Sequence, residues 1–315
     1  MDGDCNARAA SLAVGTLLPM STLLDSVFTP LARAERTIRH AIKLNYHCMR
    51  IRRELAAGAQ PVIVYSPQKT GSTAVQVSLM DLPGICMMKG HVLLPEHDWD
   101  GVLTNRVHPD GTILLGSHGT ESIRKMVLEP RLPSKWIVTL REPVACNLSW
   151  FSFQAERNWL RDKRRDLDAL SVEEVTELFL ERFPHHSVGT WAKVEMGAVL
   201  GFDPYATPFD HAQGYQRIQS GPYDVLIMRQ DLDDARKSAA LNEHLGRTDV
   251  KVIRANESGG GPGGIYARLK KGIRAHPEYI ERMLETEDAR HWWSDGERAA
   301  VRNKWIAPER GKREE

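Results

Sequence analysis

A short polar segment directly after an apolar run carries residue types that bind anions. The run PVIVYS, residues 61–66, is typical of a buried strand, and a helical pattern begins after residue 73. A strand–loop–helix junction offers backbone N–H groups at the positive end of a helix dipole. Gly71 lets the backbone approach an anion closely, and Lys69 supplies a positive charge. The segment predicts a site for phosphate or sulfate formed by Gln68, Lys69, Thr70, Gly71, Ser72 and Thr73.

The order of residues in this loop differs from that of the magnesium-dependent phosphate loop of nucleoside triphosphatases. That loop, GxxxxGK[ST], places its Lys directly after the second Gly and follows it with a hydroxyl that contacts magnesium. Here Lys69 precedes Gly71 by two positions. The loop is therefore expected to bind an anion in a different arrangement.

A second candidate anion site follows another apolar run, residues 135–140. Arg141 comes directly after this run, and Pro143 is a favourable residue for the first turn of a helix. Ser149 lies eight positions after Arg141, inside the predicted helix. An Arg at the carboxyl end of a strand and a Ser two turns into the next helix could together hold one phosphate group.

These two sites, in this order, resemble those of the sulfotransferases that use 3′-phosphoadenosine 5′-phosphosulfate (PAPS). KTGST, residues 69–73, resembles the family's phosphosulfate loop, and Arg141 with Ser149 resembles its 3′-phosphate clamp. This resemblance covers at least residues 61–150. Residues 189–210 and 289–305 are more loosely similar to sulfotransferase-like proteins grouped as capsular polysaccharide synthesis proteins.

The resemblance implies transfer of a sulfuryl group from PAPS to a hydroxyl of a carbohydrate or glycoconjugate, with PAP as product and no metal required. The loop Gln68–Thr73 would hold the 5′-phosphosulfate, and Lys69 would also be catalytic. Arg141 and Ser149 would hold the 3′-phosphate, and Lys270-Lys271-Gly272 resembles a late basic segment that closes over it. Two positions depart from the family pattern. Glu142 stands where the family has Asp or Asn, and Cys146 stands where it often has a further Arg.

Two histidines are candidates for the general base that takes the proton of the acceptor. His118 follows the apolar run 112–117, and family members with a catalytic His carry it near this place. The Gly116-Ser117-His118 form resembles that of the uronyl 2-O-sulfotransferases. His91 follows the run 84–89 and would also lie at a carboxyl edge of the sheet, where α/β proteins bind their ligands. We expect His118 to be the base and keep His91 as the alternative.

Two other classes of function stay open. A P-loop kinase or other nucleotide phosphotransferase would need carboxylates for magnesium, and Asp231 is a candidate for that role. The order of Lys69 and Gly71 argues against this class. A non-catalytic polysaccharide-assembly protein would keep only the nucleotide-binding fold, and the presence of Lys69, Arg141 and His118 argues against that class.

Composition narrows the choice of partners. The chain has 315 residues and a formal net charge of +1, so no global field attracts nucleic acid. Its four cysteines include no CxxC pair, which excludes the common zinc and disulfide patterns and suits a reducing compartment. The predicted partners are a nucleotide donor and a hydroxyl acceptor, without nucleic acid and without a metal.

Apolar runs that alternate with helical stretches predict an α/β fold with three layers and a central parallel sheet. The resemblance refines this to the P-loop NTPase-like fold of the sulfotransferases. Ser171 followed by Glu174 forms a capping-box pattern at the start of a helix. The predicted strands are 61–66, 84–89, 112–117, 135–140 and 223–228, and the predicted helical regions are 32–57, 171–200 and 277–304.

The organisation predicted is an apolar segment with a basic helix at 1–58, a sulfotransferase-like domain at 59–305 and a charged tail at 306–315. Asp25 and two prolines interrupt the apolar stretch 9–31, which argues against a membrane span. Ile38, Ile42, Tyr46 and Met49 recur at helical spacing beside several basic residues. We expect a cytoplasmic protein, with peripheral membrane contact through residues 9–57 as the alternative. No oligomeric state is predicted.

Overall fold

The computed structural model describes residues 20–94, 118–154, 169–186, 189, 191–253 and 264–306. The predicted strand at 112–117 lies outside these residues. The same holds for the chain before residue 20 and for the predicted tail from residue 307.

A five-stranded, mostly parallel sheet forms the centre of the described structure. Its spatial order is β2-β1-β3-β5-β4, and β2, β1, β3 and β5 pair in parallel. This confirms the predicted α/β class. The strands are β1 Gln60–Tyr65, β2 Ile85–Gly90, β3 Ser134–Leu140, β4 Tyr215–Ser220 and β5 Tyr223–Arg229.

Strand β4 differs from the prediction of a parallel sheet, because it pairs antiparallel with β5 at the edge. Its residues YQRIQS are mostly polar, so no apolar run marks the strand. A two-residue loop, Gly221-Pro222, joins β4 to β5, and Gly221 takes φ +53 at the first loop position. A glycine in the left-handed region is what a tight hairpin turn of this kind requires.

Helices cover both faces of the sheet, and turns of other helix types interrupt them. The capping box at Ser171 and Glu174 is confirmed at the start of α5. The α-helices are α1 Met20–Ala56, α2 Ser72–Leu79, α3 His118–Ile123, α4 Pro143–Gln154, α5 Val172–Arg182, α6 Gly197–Leu200, α7 Asp234–Leu245, α8 Ile265–Gly272, α9 Pro277–Leu284, α10 Glu287–Trp292 and α11 Asp295–Ile306. Arg124–Leu128 and Trp191–Met196 are π-helical, and Ile273–Ala275 is a 3₁₀ turn.

The inner strands are apolar on both sides because both sides are buried. In β1, Ile63 and Tyr65 pack into one cluster with Trp136, while Val62 and Val64 pack into a second cluster with helices α2 and α7. A strand covered on both faces shows a continuous apolar run rather than alternation. A third cluster joins α4, α5, α8, α9 and α11.

Helix α1 belongs to two compact units, one up to Ile42 and one from Lys43. In the second unit, Leu44, Cys48 and Ile51 are buried. The apolar residues that predicted the helix, Ile38, Ile42, Tyr46 and Met49, are instead exposed by 59–63%. The spacing identified the helix correctly but not its buried face. None of the described helices combines the length and the apolar character needed to cross a membrane.

The capping box predicts a measurable contribution to stability. Ser171 Oγ accepts the N–H of Glu174 at 3.1 Å, and Glu174 Oε2 accepts the N–H of Ser171 at 2.8 Å. Replacing Ser171 by Ala should lower the free energy of unfolding by about 1 kcal/mol, because a helix N–H loses its partner. Urea denaturation measures this change. The exposed mid-helix substitution Glu177→Ala is the control and should stay within about 0.5 kcal/mol of the parent.

Candidate functional site

The order of the strands in the sheet leaves a crevice at the carboxyl ends of β1 and β3. β1 and β3 are adjacent, yet the chain continues from β1 toward β2 on one side and from β3 toward β5 on the other. Such a reversal leaves an open crevice outside the carboxyl ends of the two strands, where α/β proteins bind ligands. The loop before Ser72 and the residue Arg141 both lie at this edge.

The loop after β1 has an unusual backbone. Lys69 takes φ +66 and Gly71 takes φ +86, both in the left-handed region. Gly71 is the N-cap of α2, and it provides no side-chain bond to the first turn of that helix. Within this turn the N–H of Ala74 donates to the carbonyl of Gly71 at 3.0 Å. The N–H groups of Ser72 and Thr73 come before it, at the helix start, where such groups commonly bind an anion.

Buried hydroxyl groups form hydrogen bonds within the loop and between the loop and β3. Thr70 Oγ1 donates to the carbonyl of Pro67 at 2.9 Å and lies 3.0 Å from Thr139 Oγ1. Ser66 Oγ accepts the backbone N–H of Thr139 at 2.8 Å. These bonds join the loop to β3. The Thr70 hydroxyl is thus used inside the protein, while Ser72 and Thr73 follow at the start of α2.

Lys89 brings a second ammonium group to the loop. It lies near the end of β2, opposite Val64 of β1, and its Nζ donates to Thr73 Oγ1 at 3.0 Å. Burial lowers the pKa of Lys89. This contact between Lys89 and Thr73 depends on the strand register, which the sequence pattern alone does not give.

Arg141 connects the two predicted anion sites directly. Its Nη1 donates to the carbonyl oxygen of Lys69 at 3.0 Å, and its Nη2 donates to the hydroxyl of Tyr266 at 3.3 Å. Burial raises the pKa of Tyr266, so this hydroxyl stays protonated at neutral pH. The guanidinium therefore lies between the loop and helix α8.

One cavity of about 690 Å³ collects most of the predicted site residues. All six residues Gln68–Thr73 line it, together with Arg141 and His91. The Lys69 ammonium lies 4.9 Å from the centre of the Phe153 ring, which also lines the cavity. A volume of this size suits a nucleotide or a ligand of similar size.

Ser149, Lys270 and Lys271 have other positions. Ser149 is buried within α4 and is not among the described residues that line the cavity. Lys270 lies over the Tyr266 ring at 6.0 Å from its centre, and Lys271 is exposed. Neither lysine lines the cavity in the described part of the chain, where Tyr266 is the residue that α8 contributes.

Among the described residues, His91 is the histidine that lines the cavity. Its Nδ1 lies 2.8 Å from the carbonyl oxygen of Ser66, and because a carbonyl only accepts, Nδ1 carries the proton. In the neutral ring Nε2 is then the free acceptor. Burial lowers the pKa of His91 to about 4, with the Ser66 carbonyl opposing the shift and Lys89 adding to it. His91 is thus a neutral imidazole at physiological pH.

His118 is placed elsewhere. It begins helix α3, and its ring lies 4.9 Å from the ring of His47 in helix α1. It is not among the described residues that line the cavity. The run 112–117 that led to its prediction lies outside the described residues.

The two departures from the family pattern have structural roles here. Cys146 is buried, and its Sγ donates to the carbonyl of Gln68 at 3.4 Å. Glu142 caps α4 by accepting the N–H of Ala145 at 2.9 Å and also accepts Trp305 Nε1 at 2.9 Å. Cys146 therefore bonds to the loop after β1, and Glu142 bonds to the first turn of α4. Neither residue adds positive charge to the cavity.

Gln230 and Tyr266 are site residues that the sequence did not reveal. Gln230 follows β5, its backbone N–H donates to Leu140, and its side chain lies against Gly71. These residues are ordinary in type and distant in sequence, so no local signal identifies them.

Carboxylates also border the cavity. Asp231, Asp233 and Asp234 line it, with Asp231 Oδ1 at 3.3 Å from Arg229 Nε and Asp233 capping α7. No group of three or more His, Cys, Asp or Glu among the described residues is arranged to hold a metal ion. Asp231 therefore lies at the cavity but already faces an arginine.

Comparisons with protein-family models, with curated proteins and with solved structures find no match. The function of the cavity is therefore inferred from the residues that line it.

The loop conformation predicts that Gly71 tolerates no side chain. A Cβ at Gly71 would lie 2.8 Å from Gln230 Cγ, and its φ of +86 is strained for other residues. Gly71→Ala should lower the free energy of unfolding by about 2–4 kcal/mol, combining backbone strain of about 1–2 kcal/mol with overpacking. Urea denaturation measures the loss.

Gly84→Ala is the matched control, since Gly84 has φ +75 with nothing within 4 Å of the new Cβ. It should show the strain alone. Adding Gln230→Ala to Gly71→Ala should recover the overpacking part. Equal losses in the two glycine variants would contradict a steric role for Gln230.

Proposed function

We propose that this protein is a sulfotransferase that moves a sulfuryl group from PAPS to a hydroxyl of a carbohydrate or glycoconjugate. One observation carries the proposal. The phosphosulfate-like loop and Arg141, which the sequence offers as separate anion sites, border the same cavity and are joined by the bond from Arg141 to Lys69. Two candidate anion-binding elements in one cavity suit a donor that carries phosphate groups at the 3′ and 5′ positions of one ribose.

The loop is suited to the 5′-phosphosulfate. The uncapped first turn of α2 and the hydroxyls of Ser72 and Thr73 offer neutral donors, and Lys69 offers a charge. Lys69 is assigned to the oxygen that joins phosphate and sulfur, where negative charge grows as that bond breaks. A cation placed where charge develops lowers the barrier more than it strengthens ground-state binding.

Arg141 is assigned to the 3′-phosphate. An arginine binds phosphate with two parallel N–H donors, which gives both affinity and orientation. Tyr266, whose hydroxyl accepts from Arg141 Nη2, is the neighbouring hydroxyl at the cavity. The predicted partner Ser149 is buried away from the lining, so Tyr266 takes its place in this proposal.

His91 is assigned as the base in preference to His118, because His91 lines the cavity and presents an unprotonated Nε2. The acceptor hydroxyl gives its proton to Nε2 while its oxygen forms a bond to sulfur. The bond between sulfur and the phosphate oxygen breaks, and its electron pair stays on that oxygen beside Lys69. The products are a sulfate ester and PAP.

A nucleotide kinase is the second candidate, because Asp231 and its neighbouring carboxylates border the same cavity. Those groups are candidates for magnesium bound to a triphosphate. The pairing of Asp231 with Arg229 and the position of Lys69 before Gly71 favour the sulfotransferase.

The nucleotide preference of the wild-type protein tests the proposal. PAP should raise the melting temperature more than ATP at equal concentration without magnesium, because PAP presents a 3′-phosphate to Arg141. Arg141→Gln should weaken PAP binding about 10- to 100-fold, the loss expected for one charge-assisted bond. Thermal shift and calorimetric titration measure both effects.

Arg182→Gln, at an exposed position on α5, is the control and should leave PAP binding unchanged. Greater stabilisation by ATP with magnesium than by PAP would favour the kinase instead.

The roles of the histidines predict a clear difference between two variants. His91→Ala should lower transfer of ³⁵S-sulfate to a mixed glycan pool by about 10²- to 10⁴-fold, the usual contribution of a general base, while PAP affinity stays near normal. His118→Ala should retain activity.

The pH profile gives a second readout. Since the pKa of His91 is about 4, kcat/KM should fall only as pH drops through that value, not near 6.5. An inactive His118→Ala beside an active His91→Ala would reverse the assignment.

A further inference from the structure

The segment that follows β2 is hydrogen-bonded to a π-helical turn. Residues 91–94 leave the sheet at the cavity and pass over Trp191–Met196. Glu195 of this turn is fully buried. Its Oε1 accepts the backbone N–H of Leu94 at 3.0 Å and also the N–H of Leu93.

The same carboxylate oxygen is tied to the sheet. Tyr65, the last residue of β1, donates its hydroxyl to Glu195 Oε1 at 2.8 Å. Ser66, the next residue, provides the carbonyl that accepts His91 Nδ1–H. Glu195 therefore connects the segment that carries His91 with the strand end that orients its ring.

Trp191 adds a direct bond to the histidine. Its Nε1 donates to the carbonyl oxygen of His91 at 2.6 Å, and its ring centre lies 4.8 Å from that of Tyr65. Trp191 and Glu195 lie four positions apart on the π-helical turn. Together they provide partners for the His91 carbonyl and for the backbone N–H groups of Leu93 and Leu94.

We propose that Trp191 and Glu195 are positioning residues whose hydrogen bonds to residues 91–94 aim the His91 imidazole into the cavity. Burying a carboxylate is costly, and hydrogen bonds reduce that cost; here three donors converge on Oε1 of Glu195. π-Helical turns occur frequently at functional sites. The expected effect on turnover rests on the proposed function. The orientation of the His91 ring by Trp191 and Glu195 does not depend on it.

Removing the acceptor predicts a change at the histidine itself. In Glu195→Ala the N–H groups of Leu93 and Leu94 lose their acceptor, and water becomes the alternative partner. The segment should loosen, and water should reach the imidazole. Because burial is the main cause of the low pKa of His91, that pKa should rise from about 4 toward its ordinary value of about 6.5. Lys89 and the Ser66 carbonyl, the other groups that act on this ring, are unchanged in the variant.

The experiment is an NMR titration of the ¹⁵N-histidine-labelled full-length protein, with His91→Ala used to assign the signal. Glu195→Ala should raise the His91 pKa, and Trp191→Phe, which keeps an aromatic ring but loses the donor, should shift it in the same direction. Glu195→Gln keeps an oxygen acceptor and should behave like wild type. Asp288→Ala, which removes another buried carboxylate that accepts two side-chain donors, should leave the His91 pKa unchanged.

Activity gives the second readout. Glu195→Ala should reduce sulfate transfer about 10-fold or more, with PAP affinity within about twofold of wild type, since only the base is displaced. An unchanged His91 pKa in both Glu195→Ala and Trp191→Phe would overturn the proposal, as would an equal shift in Asp288→Ala. A wild-type protein without transfer activity would refute the sulfotransferase, while the titration would still decide the role of Glu195.

Discussion

The hydrogen bond from Arg141 to the carbonyl oxygen of Lys69 joins the two loops that the sheet topology brings together. The hydroxyl bonds of Ser66 and Thr70 to Thr139 connect the same loop to β3, and Arg141 adds a charged group to that connection. The Arg141 guanidinium thereby places its positive charge beside the carbonyl oxygen of Lys69. Its second bond, to Tyr266, brings helix α8 to the same place. One arginine thus connects the sheet, the loop and the helical cluster at the cavity.

Small polar side chains, rather than apolar packing, hold the loop above the core. Ser66, Thr70 and Thr139 form a buried group of hydroxyls, and Cys146 donates to the loop from α4. Each bond is directional, so the group sets the orientation of the backbone and not only its position. Immediately below, the apolar clusters on both faces of β1 keep the strand in place. Rigid strands with a hydrogen-bonded loop at their end are a favourable base for a binding site.

The parts of the structure that the sequence predicted are those with local signals. Buried strands such as β1 and β5 are marked by continuous apolar runs, and the start of α5 is marked by Ser171 and Glu174. β4 escaped prediction because an edge strand with one solvent-facing side needs no apolar run. On α1, the apolar spacing identified a helix while the buried face lies elsewhere, since tertiary contacts choose the face.

Some residues of the candidate site could be predicted from local signals in the sequence, and others could not. Lys69, Gly71 and Arg141 follow directly from the ends of their strands, and the cavity brings them together as the topology requires. Tyr266 lies 125 residues from Arg141 in sequence, and Glu195 lies 102 from Leu93, so only the folded chain reveals them. For Lys69, the sequence shows the type of side chain, and the structure shows the backbone conformation. Its left-handed backbone is about 1–2 kcal/mol less favourable for a residue with a side chain, and only the folded loop reveals that conformation. A glycine would relax that backbone but lose the ammonium, so stability and charge favour different residues at position 69.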